Sequence, residues 1–202
     1  MYIPRHFEQK DRDRLLGFMR DFNFAILVSL KAGKPVATHL PFVTEQRGDD
    51  IFLIAHLSRA NEQWQHFGDE VLVIFSEPHA YISPSLYEKH DNVPTWNYIS
   101  VHAYGKLSFI EEPQAQYELL EKQMQAFEPS YLEQWKTVSP EYKEGLRKGI
   151  VAFEIAVTEL QGKEKLSQNK AAAERENVRQ HLAGSEDPNK QYLADKMQNK
   201  NT

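Results

Sequence analysis

The chain has 202 residues, 41% of them apolar, with 11 Phe, 9 Tyr and 3 Trp, enough to fill one core and too many for a disordered chain. Its formal net charge of −5 argues against unaided nucleic-acid binding, which normally uses a basic face. With no Cys there is no disulfide framework, thiolate metal site or Cys nucleophile, and no run reaches the ~20 apolar residues of a membrane span.

Met1 to Phe7 lacks the apolar core of a signal peptide, so the expected location is the cytoplasm. Residues 8–22 place Leu15, Leu16, Phe18, Met19 and Phe22 at helical spacing. Phe24 to Leu30 is a short branched run, Lys31-Ala32-Gly33-Lys34 is turn chemistry, and Pro35 to Val43 forms the second strand of a hairpin. After a turn at residues 46–50, Ile51 to Leu57 predicts a strand. Asn61 to Phe67 predicts a short helix capped by Ser58 or Asn61, and Val71 to Phe75 a buried strand.

Residues 76–95, with Pro78, Pro84 and Pro94, read as a long loop. Trp96 to Ile110 alternates as one long strand, and Pro113 opens a helix that runs to about Phe127. Glu141 to Arg147 suits a short helix, Ile150 to Leu160 the last strand, and Lys170 to Leu182 a helix. From Gly184 the composition turns polar, so residues 184–202 are expected as a mobile tail on a single domain of residues 1–183. Six or seven strands, mostly in hairpins, favour a mainly antiparallel barrel with helical additions over a doubly wound sheet.

Four segments carry candidate chemistry. Ser58-Arg59-Ala60-Asn61 puts a cation and a hydroxyl at a helix start, a seat for a phosphate; the plainer reading is a surface Arg beside a helix cap. Pro78 to Pro84, and Val93 to Tyr98 with Val101-His102, set aromatic, His and Asn side chains among stiffening prolines. That composition suits a flat ligand or a subunit interface, and equally core packing. Gly162 to Lys170 is polar and cationic, as an anion contact or a solvated turn would be. The eight His show no zinc-protease spacing, and there is no G-x-G-x-x-G, Walker or G-x-S-x-G pattern, so no metal site is expected.

Met1-Tyr2-Ile3-Pro4, Ala37-Thr38-His39-Leu40-Pro41-Phe42, Ser58 to Asn61, Tyr81-Ile82-Ser83-Pro84, Val93 to Tyr98, Val101-His102 and Gly162 to Lys170 with Leu166-Ser167-Gln168-Asn169 occur in an order that resembles one family. It is the PaiB-type FMN-binding negative transcriptional regulators, and the resemblance spans about residues 1–182. This chain departs from the family pattern at Glu62 (Pro), Glu77 (Gly) and Leu86 (Trp).

The resemblance implies a split β-barrel related to the pyridoxamine-phosphate-oxidase-like flavoproteins, a homodimer, and FMN as cofactor. It implies that Arg59, Ala60 and Asn61, with Ser58 nearby, hold the phosphate. Thr38, His39 and Leu40 would line the isoalloxazine; Trp96, Asn97, Tyr98 and His102 would close the site; Lys165, Ser167 and Gln168 would add polar contacts. Its implied function is repression of degradative-enzyme and sporulation genes, with DNA reached directly, through a surface around Lys163, Lys165, Lys170, Arg175 and Arg179, or through another protein. The alternative is a flavin oxidoreductase acting on a small molecule or haem, with His79 and His102 as candidate proton donors.

Overall fold

The strand pattern becomes a hairpin where turn chemistry demands it. In the computed structural model, which describes residues 1–88 and 91–198, β2 (Phe24–Lys31) and β3 (Lys34–Pro41) pair antiparallel in the register Ile26↔His39 and Leu27↔Thr38. The joining residues Ala32 and Gly33 both take positive φ, 50° and 77°, as a two-residue hairpin turn requires. The expected strand to Val43 instead breaks after Pro41, and Val43–Arg47 forms a separate strand, β4, on β5 (Asp50–Ser58). Pro41 has no N–H for a ladder, which favours a break there.

The remaining elements, in chain order, are β1 (Glu8–Gln9), α1 (Arg12–Asp21), β6 (Val71–Phe75), β7 (His79–Ile82), β8 (Thr95–Phe109), α2 (Pro113–Phe127), α3 (Tyr131–Thr137), α4 (Pro140–Lys148), β9 (Ile150–Lys165), α5 (Ala172–Ala183) and α6 (Pro188–Gln198). The strand order is β3-β2-β6-β8-β9-β5-β4, with β1 added on β9 and β7 on β8. The order runs from β3 to β4 without joining them, so the sheet is not closed. The β1–β9, β2–β3, β2–β6, β4–β5, β5–β9 and β7–β8 ladders are antiparallel. No helix among the described residues is long and apolar enough to cross a membrane.

Contacts divide the chain into two compact units. One unit comprises Leu16–Phe75 and His102–Leu160. Its core is aromatic: Phe42 lies 6.2 Å from Phe75 and 6.5 Å from Phe153, ring centre to ring centre. α2 lays Leu119 on Ile54 and Ala152 as a second cluster.

The other unit comprises Met1–Leu15, Ser76–Val101 and Gln161–Thr202. Three expectations change here. The long loop of residues 76–95 contains β7, which pairs His79↔Tyr98 and Ile82↔Thr95. β9 extends to Lys165, so Gly162 to Lys165 is strand and not a solvated turn; Lys163, Glu164 and Ser167 are buried. The polar tail forms α6, which packs on α5 and β7 and buries Leu193, Ala194 and Met197. Residues 199–202 of that tail lie outside the described residues.

Candidate functional site

β5 ends at Ser58, and the chain turns at once, Asn61 N–H donating to the Ser58 carbonyl at 2.9 Å. The expected helix over 61–67 is a 3₁₀ turn, Glu62–His66, capped by Asn61, whose Oδ1 accepts from Gln63 N–H at 3.0 Å. Asn61 Nδ2 also donates to Thr38 Oγ at 2.9 Å, and Thr38 donates to Gln63 Oε1 at 2.5 Å. Gln63, only 3% exposed, donates to Ser29 Oγ at 3.1 Å and to the carbonyls of Leu27 and Val36, both at 3.2 Å. One buried amide thus ties the Arg59 turn to the β2–β3 hairpin.

Arg59 is held in an unusual way. Its Nε donates to Lys148 O at 2.9 Å and its Nη2 to Ile150 O at 2.8 Å, at the end of α4 where carbonyls are left open. Its guanidinium carbon lies 5.9 Å from the Trp64 ring centre. Among the described residues no carboxylate pairs with it. Backbone carbonyls therefore orient the guanidinium without neutralising it. Arg59 lines a groove of about 310 Å³ with Trp64, Phe109, Gln116 and Arg147. Arg147 differs: it donates to both oxygens of Glu144, at 2.8 and 2.6 Å, and holds that carboxyl down at about 2.

The three residues expected to line a flavin ring split by strand alternation. Thr38 and Leu40 face inward, Leu40 buried, whereas His39 is exposed and stacks on Phe24 at 6.2 Å. One face of the strand thus offers the His39 side chain, the other Thr38 and Leu40. His102 is half-buried, its Nδ1 has no partner, and burial lowers its pKa.

The second cluster stands in the other unit. Asn97, fully buried, exchanges two hydrogen bonds with Ser167, at 3.0 and 3.1 Å. Ser167 adopts φ 60°. Lys165 Nζ donates to Trp96 O at 2.6 Å and to Thr95 Oγ. Its pKa is lowered first by burial and then by the charge of Lys163. Gln168 is occupied locally, accepting from Leu166 N–H and donating to Glu164 O, so it shapes the turn. Trp96 is half exposed and stands against Tyr81 at 5.8 Å and His79 at 5.7 Å; Tyr98 lies 5.2 Å from Lys163 Nζ. His79 is exposed, with Nδ1 3.4 Å from Glu77.

In the basic set suggested for nucleic acid, Lys165, Lys170, Arg175 and Arg179 are partly exposed. Lys163 is 8% exposed, and Arg179 is paired with Glu176 at 2.5 Å. Sequence reasoning missed Gln63, Arg147 and Tyr87. Only Gln63 carried a signal, two residues past the capping Asn61.

The groove beside Arg59 fits a flavin nucleotide in chemistry: a positive charge left open for a dianion, and the Trp64 and Phe109 rings for a flat apolar group. The fold is that of a split β-barrel, mainly antiparallel, with helical additions. The chain belongs to the PaiB-type FMN-binding family: residues 1–159 match the model described as "Putative FMN-binding domain". It is 39% identical over 205 residues to the protease synthase and sporulation protein PAI 2 of Bacillus subtilis, covering 99% of this chain and 98% of that protein. The similarity thus reaches into the tail that the sequence motifs left out. An uncharacterized Aspergillus fumigatus protein is 31% identical over 88% of this chain and 89% of its own length. Among solved structures, the FAD and heme binding protein of Mycobacterium smegmatis superposes with TM-score 0.62 at 17% identity, over 88% of this chain and 80% of that one. The flavocytochrome Anf3 of Azotobacter vinelandii gives TM-score 0.62 at 17% identity over 81% and 72%. These two establish the fold alone.

Proposed function

We propose that this FMN-binding protein works as a homodimer that lowers expression of target genes, those for degradative enzymes and sporulation among them. The observation that carries the reading is the end-to-end similarity to the Bacillus subtilis protein whose name refers to protease synthesis and sporulation. The flavin phosphate is assigned to Arg59, with Asn61 and Thr38 holding that turn in place. When bound, FMN supplies a redox-active ring; Arg59 supplies an oriented charge for its phosphate.

The dimer is assigned to the outer face of β2–β3. Phe24 is 65% and Leu30 60% exposed, and Ile26, Val28, Ala37 and His39 share their face by strand alternation. Burying each of the two large side chains contributes about 1.5–3 kcal/mol. A second copy of the same face would supply that cover. With Lys163 buried and Arg179 paired, gene control through a protein partner fits this acidic chain better than direct DNA contact.

The test has three arms. Purified protein should show flavin absorbance, and Arg59→Ala should weaken FMN binding about 5- to 150-fold, corresponding to ~1–3 kcal/mol, with little change for riboflavin. Equal FMN affinity in the variant would remove the Arg59 assignment. Leu30→Glu should yield a monomer in sedimentation, and an unchanged dimer would remove the assigned face. Unaltered target transcription on deleting the gene would remove the regulatory reading.

A further inference from the structure

We propose that the unit containing α5 and α6 carries a binding pocket for a small phosphoryl compound, an oxyanion site in addition to the flavin phosphate held at Arg59. The pocket measures about 160 Å³, and its polar walls include Tyr87, Thr95, Asn97, Lys165, Ser167 and Lys170. It is too small for an isoalloxazine with its ribityl chain and large enough for a phosphate ester of a few carbons.

Its charge is the first argument. Alternation along β9 sends Lys163 and Lys165 to one face and Glu164 to the other. Arg14 takes Glu164 at 2.5 Å, so that carboxylate is committed elsewhere. Lys163 Nζ donates to Tyr2 O at 3.1 Å, and Lys165 Nζ to Trp96 O and Thr95 Oγ. Lys170 Nζ donates to Asn92 Oδ1 at 2.6 Å and sits 3.9 Å above the Tyr87 ring. Among the described residues no carboxylate pairs with any of the three ammoniums. Burial first, and then the charge of Lys163, lowers the pKa of Lys165. Charges confined this way are costly unless an anion joins them.

The second argument is donor supply. An ammonium has three N–H groups, and Lys165 uses two, leaving one. The Tyr87 hydroxyl is buried and meets no partner in hydrogen-bonding geometry; the Ser167 hydroxyl near it exchanges two bonds with Asn97. Burial and the nearby Glu174 charge keep that phenol protonated, hence a donor. Lys165, Lys170 and Tyr87 come from separate elements, which suits a tetrahedral oxyanion with several acceptors better than a planar carboxylate with two. Asn97 and Ser167 form the rigid floor: their mutual bonds hold the turn after β9, at the cost of a left-handed Ser167.

The assignment does not depend on the Arg59 reading, and the experiment separates them. Inorganic phosphate is titrated into the full-length protein by calorimetry, at constant ionic strength set with sodium chloride, with and without saturating FMN. Phosphate should bind both forms. Tyr87→Phe and Lys170→Gln should each weaken phosphate binding at least 5-fold while FMN affinity stays unchanged; Arg59→Ala should do the reverse. Tyr87→Phe removes one oxygen and leaves packing intact, so it serves if Lys170→Gln fails to fold. No phosphate binding, phosphate binding that FMN abolishes, or phosphate binding indifferent to Tyr87→Phe would each overturn the proposal. Absence of FMN binding with normal phosphate binding would sink the flavin seat and leave this site standing.

Discussion

Replacing Gln63 by Met tests the network that holds the Arg59 turn against the β2–β3 hairpin. Met keeps the length and volume of Gln and removes every polar contact. In the folded protein four groups then lose a bond: the buried Ser29 hydroxyl at 3.1 Å, the half-buried Thr38 hydroxyl, which donates at 2.5 Å, and the carbonyls of Leu27 and Val36, each of which keeps a second lone pair for other donors. Each unmet group costs about 1–3 kcal/mol, and Thr38 recovers part of its loss through Asn61, so a total near 3 kcal/mol is expected. For a chain of 202 residues that corresponds to a fall in Tm of roughly 6–12 °C. Urea unfolding measures the loss directly. Thr38→Val, alone and combined with Gln63→Met, should show a coupling of about 1 kcal/mol or more, since the two share one bond. A loss below about 0.5 kcal/mol for Gln63→Met, or strict additivity of the pair, would refute the claim that this amide fastens the turn.

Two further outcomes follow from other sites. His56 is half-buried, bonded through Nδ1 to Gln123 at 2.6 Å, and burial depresses its pKa below the usual 6.5. The unfolded chain therefore takes up a proton near pH 6.5 that the folded chain resists, so stability is full above pH 6.5 and falls as pH drops below it. Urea midpoints should decline from pH 7 to 5, and more steeply than in His56→Gln; parallel profiles would exclude His56 as the cause. Gly162 opposes Gln9 where β1 meets β9, and a Cβ there would stand 2.7 Å from the Gln9 carbonyl and collide with the buried Leu15 side chain. Gly162→Ala should lower stability by about 1–3 kcal/mol in thermal unfolding, and a neutral result would show that β1 detaches at no cost.

What the sequence revealed depended on whether the signal was local. The β2–β3 hairpin was legible because Ala32-Gly33 must supply positive φ between two alternating runs. The Ser58-Arg59-Ala60-Asn61 segment was legible because an Asn cap is a local event, but the partners of Arg59 were not: Lys148 and Ile150 are about 90 residues away. β7 was hidden by prolines on both sides of a four-residue strand whose order comes from β8. α6 was hidden by polarity. Asp187, whose Oδ1 accepts from Asn189 N–H at 2.9 Å, followed by Pro188, is a helix start, and Leu193, Ala194 and Met197 are its one apolar face. The charges of Gly162 to Lys165 suggest a turn in solvent, whereas β9 carries them inside.

That last segment points to how the protein treats charge. Several arginines are paired with carboxylates: Arg14 with Glu164, Arg47 with Glu45 and Glu154, Arg147 with Glu144. Arg59, Lys163 and Lys165 are instead met by backbone carbonyls, which orient a cation and leave its charge in force. A carboxylate in any of these places would be more stabilising for the unliganded fold and would shut out an anion. Preferring carbonyls gives up some of that stability for a charge already aimed when a phosphate arrives, which is the condition for tight binding without rearrangement. Grafting a carboxylate beside Lys165 by Thr95→Glu should therefore raise the melting temperature of the unliganded protein and abolish phosphate binding together; a variant that gained stability and still bound phosphate would show that the open charge has no bearing on the ligand.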